Sequence, residues 1–223
     1  GVGVDSPNNL YFHFDDLNIE FVDYPVKYAI DWVDPNKYTP LAYIEGTSQA
    51  RENTFTTPYI AKANTEVGVK FYTYKPNNGD WRAIFSGRDA GNADTGISLY
   101  RNGNGQKFGY FVGGYKNDDH APYPGDDQEI TVTASLTNLN VNGTDYPTGQ
   151  STFNASSRKI SLFANPEWDN AFHGRIYYFT IKEGDETIYD FQPVMRHDGK
   201  FGYYDAATKT FIEPAQGNWN GYG

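Results

Sequence analysis

Between Lys159 and Asp205 apolar residues return at every second position. Ile160, Leu162 and Ala164 mark one such run. Ile176 and Tyr178 share a face of the next, with Tyr177, Phe179 and Ile181 on its other face. Period two predicts strands with one buried face, and a run apolar on both faces predicts a strand in the middle of a sandwich. Gly184 falls between 179–181 and 187–191, and Asp198-Gly199 precedes Phe201–Tyr204. Both positions suit tight hairpin turns, whose positive φ glycine tolerates best. The last third of the chain therefore reads as antiparallel strands, with a loop carrying Trp168 between the first two runs.

The same alternation predicts strands upstream at 56–61, 65–74, 81–86, 97–101, 107–112, 129–135, 138–141 and 144–146. Asn78-Gly79 and Asn142-Gly143 supply hairpin tips. Residues 87–96 form a loop rich in Gly, Asp and Asn, and 113–127 reads as the longest polar connection. Three further strands are expected at 10–14, 19–22 and 28–33, punctuated by Pro25, Pro35 and Pro40. No sustained helical period or fixed repeat is present, although a short helix or turn fits 166–170 or 206–208.

Several strings carry a family resemblance. Ile160-Ser-Leu-Phe-Ala, Phe172-His-Gly-Arg-Ile-Tyr-Tyr-Phe-Thr-Ile, Asp190-Phe-Gln-Pro-Val and Gly202-Tyr-Tyr-Asp-Ala-Ala-Thr-Lys-Thr-Phe resemble laminin-G-like jelly-roll domains of the concanavalin A-like lectin/glucanase superfamily. The bacterial surface and phage-tail versions are the nearest in flavour. Tyr43–Thr47 and Thr65–Phe71 are similar to the opening of such a domain. The resemblance implies an all-β, two-sheet antiparallel β-sandwich of jelly-roll form over residues 41–214. An N-terminal strand-forming extension over 1–40 and a C-terminal tail over 215–223 flank it. The superfamily includes lectins, adhesion modules and glycosidases, so it specifies fold more than function.

Composition narrows the chemistry. The 223 residues include no Cys, which removes disulfides, thiolate metal sites and Cys nucleophiles. A formal net charge of −10 sets up repulsion toward polyanions, so nucleic acid and anionic membrane surfaces are poor partners. No apolar run is long enough to cross a bilayer as a helix, and no signal-peptide core is present. Gly1 stands where an initiator Met would, which suggests a trimmed or tag-cleaved chain and leaves room for a removed export signal, and the expected location is secreted or bacterial cell-surface. Membership of a larger multidomain protein is compatible with the sequence, as is a separate chain. The 19 Tyr suit sugar binding, because a ring packs on the C–H face of a pyranose while its hydroxyl bonds. They equally suit half-buried strand positions.

Catalytic patterns are weak. Glucanases of the superfamily carry Glu-x-Asp-x-x-Glu on one strand, where i and i+2 share a face. Glu183-Gly184-Asp185 has the first spacing but occupies a hairpin tip and reaches Ile188, and Glu167-Trp168-Asp169 lies in a loop. No Gly-x-Ser-x-Gly elbow, zinc-type His pair or phosphate loop is present. Of the four His, only His120 has acidic neighbours close in sequence. Asp118, Asp119, Asp126 and Asp127 could bring oxygen ligands for calcium to one loop. Their spacing matches no EF-hand, and a solvated acidic loop is the alternative.

Glycan binding needs an aromatic platform with planar polar groups beside it. Trp168, set among Asn, Asp and Glu without strand periodicity, is the leading sequence candidate. Asn165, Arg88, Asp94, Tyr115 and Trp81 complete the expected ligand-binding set. The expectation is a non-catalytic glycan-binding or adhesion module of a secreted or surface protein, with a polysaccharide partner. Two rivals stand beside it: a glycoside hydrolase or polysaccharide lyase of the same fold with unlike catalytic residues, and a structural or protein-binding module of a surface fibre or phage tail.

Overall fold

A computed structural model describes residues 34–46, 54–74, 81–89, 95–102, 106–165, 171–215 and 219–222. The three N-terminal strands expected before residue 34, and the loop segment 166–170, lie outside the described residues. No described residue is helical, and the fold is an antiparallel two-sheet β-sandwich.

In chain order the strands are β1 Tyr38–Pro40, β2 Tyr43–Gly46, β3 Phe55–Ile60, β4 Thr65–Thr73, β5 Arg82–Ser86 and β6 Ile97–Arg101. Then come β7 Lys107–Val112, β8 Tyr115–Pro122, β9 Glu129–Ser135, β10 Asn138–Val141, β11 Thr144–Pro147 and β12 Lys159–Leu162. The last five are β13 Gly174–Glu183, β14 Glu186–Arg196, β15 Phe201–Asp205, β16 Thr210–Ile212 and β17 Trp219–Tyr222. The larger, 11-stranded sheet runs β11-β10-β9-β4-β13-β14-β15-β16, with β1 on β14 and β2 on β13 and β17. The smaller, 6-stranded sheet runs β3-β12-β5-β6-β7-β8.

β13 is the spine of the larger sheet. It pairs with β4 from Gly174↔Thr73 to Glu183↔Thr65, interrupted by a bulge between Ile176 and Tyr178. On its other side it pairs first with β2, at Gly174 to Ile176, and then with β14 from Phe179 onward. Past Phe191, β14 runs on beside β15 and takes β1 against its end. β2 and β17 thus occupy the space where β13 and β14 part. β17 falls in the 215–223 segment expected as a tail and pairs with β2 in the register Tyr222↔Tyr43.

The bulge corrects the expected phase of β13. Strict alternation sets Ile176 opposite Phe179 and Ile181, yet all three are fully buried, while Arg175, Tyr177 and Tyr178 are half-buried. One extra residue resets the phase, so both halves of the strand turn their aliphatic side inward. The expected connection 113–127 also needs correcting, since β8 lies within it and, among the described residues, pairs only with β7. Its Lys116, Asp118, Asp119 and Pro122 hide the strand from a hydrophobicity reading. An edge strand carries such residues because they block pairing with another chain. The expected Asn142-Gly143 hairpin is present, with φ of 49° and 86° at the two turn residues between β10 and β11. Residues 206–208 are a turn rather than a helix. Asp205 holds that turn, Oδ2 accepting from the Thr208 amide at 2.7 Å and Oδ1 from the Asp190 amide at 2.7 Å.

The two sheets share one core. Val67, Val69, Phe71, Ile130, Val132, Ile176, Phe179 and Phe191 of the larger sheet meet Phe55, Ile84, Phe85, Leu99, Phe108, Tyr110 and Leu162 of the smaller. Rings cross the layer edge to face, Phe71 with Phe108 at 6.2 Å and Phe85 with Phe179 at 6.0 Å between centroids, the geometry favoured by aromatic quadrupoles. Phe179→Ala would remove a fully buried ring beside the bulge. The expected cost is about 3–5 kcal/mol, read as a lowered midpoint in equilibrium urea unfolding. A loss under about 1 kcal/mol would place Phe179 outside the core.

Candidate functional site

Three of the residues expected to bind ligand come together on the smaller sheet, on the side away from the shared core. Ala83 of β5, Tyr100 of β6 and Phe111 of β7 form a satellite cluster there, with Trp81 packed against it. The Arg88 guanidinium lies 5.2 Å from the Tyr100 ring centre and 4.7 Å from that of Phe111. Asn165 donates from Nδ2 to the Tyr100 hydroxyl at 2.9 Å. That hydroxyl also bonds Ser86 Oγ at 3.2 Å, and Ser86 bonds Ser98 at 2.9 Å. A side chain at Gly109 would collide with the Trp81 ring, so the glycine is what lets the indole lie on β7.

Exposure decides what this cluster can do. Tyr100 and Asn165 are 1% exposed, and Phe111 and Arg88 are 4% exposed, leaving only Trp81 partly open. The arrangement is a sealed aromatic and hydroxyl layer. A sugar arriving from solvent meets one partly exposed indole rather than a platform of several rings.

The other candidates are scattered. Trp168 and Asp94 lie outside the described residues. Tyr115 sits on edge strand β8, where its hydroxyl contacts His120 Nδ1 at 2.8 Å and accepts from Asn117 Nδ2 at 3.1 Å. His120 Nε2 donates to the Tyr146 carbonyl of β11 at 2.9 Å, tying the edge of one sheet to the edge of the other. The four aspartates are engaged in different ways. Asp119 accepts from Asn102 Nδ2 at 2.5 Å, and Asp126 accepts from the Tyr123 hydroxyl at 2.8 Å and Arg101 Nη2 at 3.3 Å. Asp127, at φ 57°, accepts from the Tyr72 hydroxyl at 3.4 Å, and Asp118 contributes its carbonyl to Asn102. Among the described residues, no group of three or more His, Asp or Glu is placed to hold a metal ion.

A more open aromatic array lies on the outward face of the larger sheet. The registers Arg175↔Glu45 and Arg175↔Tyr72 set one polar and aromatic row across β2, β13 and β4. The Arg175 guanidinium is 4.4 Å from the Tyr43 ring centre, 5.2 Å from Tyr72 and 5.4 Å from Tyr74. Tyr177 meets Tyr43 edge-on at 5.6 Å, Tyr72 meets Tyr74 at 5.3 Å, and His173 lies 5.1 Å from Tyr74. All four tyrosines, His173 and Arg175 are half-buried, so each shows part of its surface to solvent. Ile176 on the reverse side is fully buried, which anchors the row on the core.

Glu45 orders the array. Its Oε2 accepts from Arg175 Nε at 3.0 Å and from the Tyr74 hydroxyl at 2.5 Å. Partial burial, and then the neighbouring carboxylate, push the Tyr74 phenol well above its ordinary range, so the hydroxyl stays a donor. The Arg175 pKa is raised by Glu45 and the surrounding phenols, although burial opposes the shift. No sequence pattern marked this site. The usable signal was Tyr72-x-Tyr74 and Arg175-x-Tyr177, aromatic residues in the outward phase of strands whose inward phase is aliphatic.

Compared with known proteins, the chain matches no family model, and no curated protein is significantly similar to it.

The tie between sheet edges carries a pH signature. Burial lowers the His120 pKa below the ordinary imidazole value of 6.5, opposed by the bond to Tyr146. Between the folded pKa and about 6.5 the unfolded chain binds more protons, so stability falls as pH drops through that window. The carboxylates held low by partners, such as Glu183 and Asp198, act in a separate window nearer pH 4. Thermal unfolding at pH 7.5 and 5.5 should show a drop in Tm that His120→Gln flattens. An equal drop in both proteins would remove His120 from that role.

Proposed function

We propose that the protein is a non-catalytic glycan-binding or adhesion module of a secreted or cell-surface bacterial protein, built as a jelly roll of the concanavalin A-like kind. The observation that carries the reading is the partly exposed ring set Tyr43, Tyr72, Tyr74 and Tyr177 around Arg175 and Glu45. Here four rings gather on rigid strands, next to a carboxylate and a guanidinium whose geometry is already fixed.

The chemistry follows from the parts. The C–H face of a pyranose covers a Tyr ring, removing apolar surface of both from water. Glu45 accepts hydroxyl protons, and the Arg175 and His173 nitrogens and the phenols supply further bonds. Two hydrogen bonds already orient Glu45, so little side-chain entropy is lost on binding. Affinity per site is weak, because each sugar hydroxyl exchanges a bond to water for one to protein. Several copies on one polypeptide or surface would multiply that weak affinity.

A glycan array followed by calorimetry tests the reading. Tyr72→Ala and Tyr43→Ala should each weaken saccharide binding roughly tenfold, with Tm held within a few degrees because both rings are only half-buried. Trp168→Ala, at the leading sequence candidate, serves as the control for a site on the 166–170 loop. Saccharide binding lost only in Trp168→Ala would move the site to that loop. Release of reducing sugar from a bound polysaccharide would instead make the protein an enzyme.

A further inference from the structure

We infer that the glycan taken by the tyrosine face is uncharged, so that uronic, sialylated and sulfated chains are excluded. The inference rests on the glycan-binding reading above and concerns the same site.

It is carried by the balance of charge across that face. Arg175 is paired with Glu45 at 3.0 Å, Lys70 with Glu129 at 2.6 Å and Lys182 with Glu66 at 3.5 Å. These pairs run across neighbouring strands of the same outward face: Arg175↔Glu45 and Lys182↔Glu66 stand directly opposite each other, and Lys70, opposite Thr131, reaches Glu129 diagonally. Asp127 adds a further carboxylate, at the Tyr72 hydroxyl. Each of these three cations thus already faces an acid, and among these described residues four acids stand against three cations. The Lys70 ammonium also lies 5.0 Å from the Tyr177 ring centre, and the Arg175 guanidinium stacks among three rings.

Recognition of an anionic sugar requires cations that can turn toward it, most often the bidentate Arg–carboxylate fork. Glu45 Oε2 already holds Arg175 Nε at 3.0 Å, so a fork on the remaining guanidinium nitrogens would bring the incoming anion against a partly buried carboxylate, at a cost in like-charge repulsion. The whole-chain charge of −10 adds a long-range repulsion at low salt. A neutral chain pays neither cost. It uses the ring faces for its C–H surfaces and Glu45 as a hydroxyl acceptor, and its binding has little dependence on ionic strength.

The test sets neutral probes (cellohexaose, xylohexaose and mannohexaose) against hexagalacturonate and chondroitin sulfate on one array, with calorimetry at 20 and 300 mM NaCl. The expected result is wild-type binding to at least one neutral oligosaccharide, with a tenfold or greater preference over both acidic probes and under twofold change with salt. Glu45→Gln uncovers the Arg175 charge and should gain hexagalacturonate binding at 20 mM NaCl that 300 mM NaCl abolishes. Wild-type binding to an acidic probe as tight as to any neutral one, lost in Tyr72→Ala, would overturn the uncharged class and leave the site standing. Absence of binding to every probe, or binding that Tyr72→Ala and Tyr43→Ala both leave intact, would overturn the glycan-binding reading itself.

Discussion

Between Ile176 and Tyr178, β13 holds one residue more than β4 can pair with, and much of the molecule's organisation depends on that surplus. A regular strand would bury either Ile176 or the pair Phe179 and Ile181. The bulge buries all three, so a single strand seals the larger sheet against the smaller along its full length. Arg175 and Tyr177 share the outer face by ordinary alternation about Ile176, and the irregularity is the adjacent half-buried pair Tyr177 and Tyr178. Closure of the core along β13 therefore follows from one backbone irregularity. β2 depends on it as well, because β13 pairs with β2 before the bulge and with β14 after it.

Much of the fold was legible in the chain because its interior strands obey simple alternation. β6, β7, β9 and β10 begin and end where the pattern places them, and Asn142-Gly143 announces its hairpin through the one conformation that pair prefers. What escaped the pattern did so for physical reasons. Among the described residues β8 has one strand neighbour and a largely solvated surface, so its sequence reflects protection of an edge rather than burial. The phase of β13 could not be read because Tyr is acceptable on either face of a strand, and a run of Ile, Tyr, Tyr, Phe does not reveal which residue is the extra one. β1 and β17 are short and gain order from β14 and β2 rather than from periodicity of their own.

The site was less legible than the fold. Sequence reasoning favoured loops, where a large ring among polar residues has no packing excuse, and three of its choices do meet at Tyr100. There Arg88 and Asn165 are covered and only Trp81 is partly open, and the hydroxyls of Ser86, Ser98 and Tyr100 bond one another and Asn165. The open aromatic array is assembled from residues 43–45, 72–74 and 173–177, brought together only by the pairing of β2 and β4 on opposite sides of β13. Each of its tyrosines alone looks like an ordinary strand residue. Their meaning lies in their juxtaposition around Arg175, and in the carboxylates that pair with Arg175, Lys70 and Lys182.

If β13 is the spine that fixes both core and outer face, its hydrogen bonds with β4 must be among the last to open. Amide hydrogen exchange followed by mass spectrometry tests this most directly. Peptides covering 67–71 of β4 and 179–181 of β13 should exchange slowest, at least roughly tenfold slower than those covering the edge strands β8 and β11. Exchange in β13 as rapid as in β8 would contradict the account, since a strand that opens so readily could hold neither the shared core nor a preorganised ring of tyrosines.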